Sequence, residues 1–425
     1  MIAKKKIVNL IGLGIGYLLG QGSFLIASFY LLSNEKYETA SAVGFGMSVV
    51  TLSLLIIDMG GQIYLSRQVA IDRNLCRDTG IGASDEVLKS IFSIILIRLI
   101  SWASLLLCVG IFGRNLGFAE DPLSERFILI SIACLFFWIF NQTGVLDGQR
   151  LQGWSGLSLS IPWVFVSAAT IALSNYDVSP SFFGIFLGLS FGAGSLIAVI
   201  LQIVVSRIFY NLRIARICVR DILMALRIGG GAFLSQLPGQ LNGRVQIYFA
   251  MMLFSPELAA AFILSRNVLN ASNNLVGMAR RIEFPDLVAL LGTGCVSISV
   301  IFRRQKMSFL FSILICIFCL MCGIASYTDM LPSYLKGSSD AILINAIFVP
   351  VLVSSTISGA LVQAMLASGK SFIVALSSVI SFFLSTLIVW LLIDDIMVYA
   401  MVLASIVSNV VISVLMMSSI QKRRM

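Results

Sequence analysis

Four charged side chains stand inside otherwise apolar stretches of this chain: Asp58, Arg98, Arg244 and Arg266. Charge is costly to bury in such surroundings, so each needs a partner, water or a ligand. Depth sorts them. At about 1.5 Å per helical residue, Asp58 and Arg98 fall roughly 12–14 Å from the same end of their segments. They are expected to pair, in contact or through one water, as a structural or ion-coupling pair. If unpaired and facing a cavity, Asp58 becomes the candidate proton or cation carrier, because a desolvated carboxylate holds its proton more tightly. Arg244 and Arg266 share a level nearer the opposite end, with no acidic residue at that depth. They must sit in water or meet an anion brought by a ligand.

Amides extend both arginine positions. Gln236 and Gln240 precede Arg244 at intervals of four, on one helical face; Asn270, Asn273 and Asn274 follow Arg266. A polar stripe in an apolar helix faces a bundle interior or water, not lipid. Pro238 and Gly239 predict a kink or break beside Arg244, a candidate hinge.

Other constellations carry less chemistry. Histidine is absent, which removes the usual neutral-pH acid/base. Cys316, Cys319 and Cys322 have a metal-like spacing, but they lie inside an apolar run and fall short of four tetrahedral ligands. Gly369-Lys370-Ser371 lacks the earlier glycine of a phosphate-binding loop, since Ala364 stands there. No catalytic residue, metal or cofactor is expected.

The elements that must hold these residues are membrane spans. Of 425 residues, 58% are hydrophobic and 12% charged, against about 45–50% and about 25% in soluble chains. A span needs about 20 largely apolar residues. Twelve segments qualify: 7–32, 39–66, 89–113, 124–146, 155–174, 181–206, 222–253, 256–281, 306–327, 340–368, 371–393 and 396–420. The first follows Lys4-Lys5-Lys6 and is too long for a cleaved leader. The stretch 286–305 is expected to lie on the cytoplasmic surface as an interfacial segment, with a thirteenth span as the competing reading. Glycines spaced by four, Gly12, Gly16 and Gly20 in the first segment and Gly184, Gly188 and Gly192 in the sixth, predict close helix packing.

Lysine and arginine set the orientation. With the N-terminus inside, the outer segments hold only Lys36, Arg114, Arg126 and Lys336. Both termini are then cytoplasmic, and the net charge of +9 reflects loops facing anionic lipid, not nucleic acid. An offset of roughly 216 residues maps the first six segment starts onto the last six, as internal repeats do. The expected architecture is an all-α integral membrane protein: residues 1–206 and 222–425 as parallel six-helix halves around a central cavity, joined by a basic connector at 207–221.

Several stretches resemble one family. They are Gly12-Leu13-Gly14-Ile15-Gly16 and Gly20-Gln21-Gly22, then Ile57-Asp58-Met59-Gly60 leading to Arg67. Leu146-Asp147-Gly148-Gln149-Arg150-Leu151-Gln152-Gly153 and Phe284-Pro285 complete the set. With the six-plus-six layout they look like a polysaccharide or O-antigen repeat-unit flippase of the Wzx type, within the multidrug/oligosaccharidyl-lipid/polysaccharide (MOP) exporter superfamily. Where many relatives carry aspartate in the seventh helix, this chain has Gly243-Arg244. The resemblance implies a MOP/MATE-like fold in the bacterial inner membrane. Its implied cargo is an undecaprenyl-pyrophosphate-linked oligosaccharide of O-antigen, lipopolysaccharide or capsule biosynthesis, moved from the cytoplasmic to the periplasmic leaflet. Arg244 and Arg266 would then bind the pyrophosphate, and the four amides the sugar hydroxyls. Membrane lipids, and polymerase and chain-length proteins of the same pathway, are the other implied partners. A multidrug exporter of the same superfamily is the alternative, although a lone Asp58 suits cationic drugs poorly. A membrane polymerase or acyltransferase is a third reading, opposed by short outer loops and the absence of histidine. A sugar-porter-like facilitator lacks its loop signature after the second span.

Overall fold

The structure, a computed structural model, describes residues 2–75, 85–112, 121–207, 218–292, 297–328, 330–331, 338–367 and 370–421. Regular structure among them is helical throughout, as expected where a backbone must satisfy its own hydrogen bonds within each segment. In chain order the helices are α1 (Ile2–Ser33), α2 (Tyr37–Asp58), α3 (Gly61–Leu75), α4 (Asp85–Phe112), α5 (Pro122–Cys134), a 3-10 turn at Phe137–Phe140, α6 (Thr143–Gly148), α7 (Gln152–Ser174) and α8 (Pro180–Ser206). They continue as α9 (Val219–Leu253), α10 (Pro256–Gly292), α11 (Ile298–Arg304), α12 (Lys306–Tyr327), α13 (Ser339–Ile347), α14 (Val349–Ala367), α15 (Ser371–Ile396) and α16 (Val398–Gln421). The chain packs as two compact units: Met1–Tyr30 with Phe45–Phe233, and Leu31–Gly44 with Leu234–Met425. Most of the expected connector 207–221 lies outside the described residues.

In the first unit the glycine stripes seat helices. A Cβ on Gly12 would stand 2.9 Å from Gly153 Cα, one on Gly16 would enter the Gly156 backbone, and one on Gly20 would stand 3.1 Å from Ser160 Cα. α1 therefore lies against α7 at backbone distance. Gly184, Gly188 and Gly192 of α8 face α5, where an added Cβ would meet the Leu123 carbonyl, the Ile130 side chain and the Cys134 side chain. Tyr64, Leu65, Ile91, Ile94, Val145 and Ala225 form a core beside them. In the second unit Leu361, Met365, Val374 and Met416 form a core.

Three expected spans are interrupted. The segment 39–66 is two helices, parted at Met59 and Gly60 with φ of 46° and 74°. Gly60 is required there twice, by its left-handed backbone and because an added Cβ would enter the Gly229 carbonyl. The segment 124–146 ends α5 at Cys134 and resumes as α6 at Thr143, with Asn141 and Gln142 in the gap. The segment 340–368 bends by 44° between α13 and α14, and Pro350, one residue into α14, removes a backbone donor at that bend. Apolar residues on both sides of each break outnumber the few polar ones at it, so hydropathy averaged over the length of a span does not register it.

Nine helical stretches among the described residues are long and apolar enough to cross a membrane, or ten with α13 and α14 as one span. The expected twelve is not reached on these grounds. α9 and α10 are long enough, at 35 and 37 residues, but carry the polar stripes. α9 runs through Pro238 as one helix, so of the kink or break expected at Pro238-Gly239 the break does not occur. The stretch 286–305 is not one element: α10 continues to Gly292, and α11 starts at Ile298. Leu287 and Ile301 are buried in one cluster with Ala364.

Candidate functional site

In the first unit the structure brings Asp58 and Arg98 together. Arg98 Nη2 donates to Asp58 Oδ1 at 2.6 Å and Nε to the same oxygen at 3.2 Å. Asp58 Oδ2 accepts the Gln62 backbone N–H at 3.1 Å, which caps the start of α3. The other side of the guanidinium closes the second gap: Nη1 donates to the carbonyls of Asn141, at 2.6 Å, and Ile139, at 3.3 Å. Arg98 is fully buried. One cation thus ties the break after α2 to the break before α6. Gln202 of α8 completes the repair, accepting the Gln142 N–H at 2.8 Å and donating to Ser158 at 3.0 Å.

The motif from Leu146 to Gly153 is fastened within the same unit. Gln62 donates to Asp147 at 2.9 Å, Gln149 to the Ser206 carbonyl at 3.0 Å, and Asn9 to the Arg150 carbonyl at 2.7 Å. These residues fasten α1, α3, α6 and α8.

In the second unit Arg266 reaches the part of α9 that carries Arg244: its Nη2 would stand 2.8 Å from a Cβ built on Gly243, the residue before Arg244. Arg266 is buried and Arg244 half-buried. Neither has a salt-bridge partner among the described residues, and the Nε of each is buried without a hydrogen bond. Two adjacent cations in a low-dielectric setting repel each other and lack the compensation buried charges need. A doubly charged anion would supply it, and two guanidinium forks suit phosphate oxygens.

The surrounding amides divide. Asn273 accepts from Ser355 Oγ at 2.7 Å, so it already holds α10 to α14. Asn270 is partly buried and Gln240 exposed; the Gln236 side chain lies outside the described residues. Asn242 accepts from Ser385 at 2.7 Å, and fully buried Gln246 donates to Ser405 at 3.0 Å and the Met401 carbonyl at 3.3 Å. These contacts fix the arginine-bearing part of α9 against α15 and α16. Gln246, Gly243 and Phe348 are not among the residues expected from sequence. A glutamine two residues from an unpaired arginine is the signal that points to the first. A helix-breaking Pro350 is the signal for the last.

No family model matches the chain, and no curated protein matches it. Solved structures do. An inward-facing multidrug resistance MATE family transporter of the MOP superfamily is 16% identical, with a TM-score of 0.72 over 98% of this chain and 99% of that one. The lipid II flippase MurJ, in an inward closed conformation, is 14% identical, with a TM-score of 0.72 over 98% of this chain and 87% of that one. A MOP superfamily transporter from Pyrococcus furiosus Vc1 (DSM3638), whose reversed pocket polarity suggests a different function, is 14% identical. Its TM-score is 0.62 over 98% of this chain and 96% of that one. The chain has the all-helical fold of MOP superfamily transporters.

Proposed function

We propose that the chain is a lipid-linked oligosaccharide flippase of the Wzx type. It moves an undecaprenyl-pyrophosphate-linked repeat unit, of O-antigen or capsule, across the bacterial inner membrane by alternating access, with both termini cytoplasmic. The observation that carries this reading is the unpaired couple Arg244 and Arg266. Whatever sugars the cargo bears, its pyrophosphate is anionic, and charge-assisted hydrogen bonds from two guanidinium groups would hold it. Gln236, Gln240 and Asn270 offer donors and acceptors to sugar hydroxyls. The lipid II flippase with this fold lends support, because the two cargoes share a lipid-linked sugar chemistry. A multidrug exporter is the competing reading; an arginine couple without a carboxylate partner favours anionic over cationic cargo.

The test is export in a strain lacking the chromosomal copy. Arg244→Ala and Arg266→Ala should each abolish surface polysaccharide at normal membrane levels of protein. Lysine should rescue only in part, since it keeps the charge but loses the planar fork. Wild-type export by the double alanine variant would sink the assignment.

A further inference from the structure

The Arg266 guanidinium is seated, not loose. Its Nη2 lies against Gly243: a Cβ there would stand 2.8 Å from it, closer than real side chains approach. Its Cζ lies 5.6 Å from the centroid of the Phe348 ring, within the roughly 6 Å at which an aromatic face attracts a cation. Phe348 is itself fixed. It is 1% exposed, packs on Phe262 with centroids 5.8 Å apart, and donates its N–H to the Ile344 and Asn345 carbonyls at the bend between α13 and α14. α10 is tied to both limbs of that bend. Ser265 donates to the Ala341 carbonyl at 2.7 Å, and Ser355 donates to Asn273 at 2.7 Å.

We propose that Gly243 and Phe348 are positioning residues, a gap and a ring that hold the Arg266 guanidinium beside Arg244 in the geometry that receives a diphosphate. The inference rests on the flippase reading and deepens it. Gly243 adjoins Arg244 in sequence, so the residue that admits one guanidinium is fixed to the residue that carries the other. The bent helix pair thereby delivers a ring face to a cation that has no carboxylate partner. A ring that merely filled space would be replaceable by leucine, whereas a cation seat needs the aromatic face.

The experiment uses the full-length protein purified in detergent, titrated with inorganic pyrophosphate and followed by thermal shift. The wild type should be stabilised, and R266A should not. F348L should need roughly 2- to 30-fold more pyrophosphate for half the shift, the range expected when a cation loses its aromatic face. F348W should titrate close to wild type. G243A should also weaken the response, because its methyl displaces Nη2. Melting without ligand reports folding; if F348L is unfolded, F348W and G243A decide. If wild type and R266A respond alike, the pyrophosphate reading falls and this inference with it. If R266A loses the response while F348L and G243A match wild type, the seat is overturned and the flippase reading stands.

Discussion

Arg98 reaches Asp58 with two nitrogens, at 2.6 and 3.2 Å, and with its third holds the carbonyls of Asn141 and Ile139. Removing one member of such a buried pair leaves the other uncompensated. Arg98→Ala is expected to cost about 3–5 kcal/mol, measured by thermal or denaturant unfolding in detergent. The double variant with Asp58→Ala should cost less than the sum of the singles. Strict additivity would show that the pair does not couple the two breaks.

The glycine stripe of α1 predicts a contrast within one helix. Gly16→Leu would drive a side chain into the Gly156 backbone and should destabilise by about 1–3 kcal/mol. Gly22 has nothing within 4 Å of an added Cβ, so Gly22→Ala should be neutral or slightly stabilising. Equal melting temperatures for the two variants would remove the packing role of the stripe.

Gln202→Leu keeps the side chain's size and deletes its polar end. The buried Gln142 N–H then loses its acceptor, a penalty of about 1–3 kcal/mol. Gln202→Glu retains an acceptor for that N–H and should be milder at a pH where it is protonated. Comparison of the two unfolding midpoints checks this.

Stability and function should part company at Arg266. Arg266→Met keeps a long side chain and removes one of two adjacent cations that lack carboxylate partners. Replacing buried charge by well-packed apolar groups is often stabilising, by about 1–4 kcal/mol. The variant should melt higher than wild type yet fail to export polysaccharide. A lower melting point would mean that Arg266 is already well compensated in the folded protein.

The parts of this molecule that sequence discloses are those governed by scarcity. Asp58 and Arg98 can be matched because so few charges stand in apolar segments that depth alone selects partners. The stripes at Gly12 and Gly184 are legible because a spacing of four fixes a face. The interruptions at Met59-Gly60, between Cys134 and Thr143, and at Phe348 are not, because the apolar residues flanking each one carry the segment's average past it. In the first unit the cause is tertiary: Arg98, Gln202 and Asp58 supply from a distance the hydrogen bonds that the broken helices give up. Pro238 shows the reverse. A strong local breaker there is overridden, and α9 stays helical from Val219 to Leu253. Sequence places Arg244 and Arg266 together without a carboxylate, but the seat of Gly243 and Phe348 depends on how the helices around the Pro350 bend pack on α9 and α10, which spacing alone does not give.

The bracket around Arg98 has a thermodynamic corollary. Asp58 offers one oxygen to Arg98 and the other to the first turn of α3, so a proton or metal ion arriving at that carboxylate competes with the guanidinium for the same electron pairs. The same guanidinium holds the Asn141 and Ile139 carbonyls. If its displacement from Asp58 also frees those carbonyls, occupancy by a small cation and opening of the backbone gap before α6 are linked equilibria, each favouring the other by the same factor.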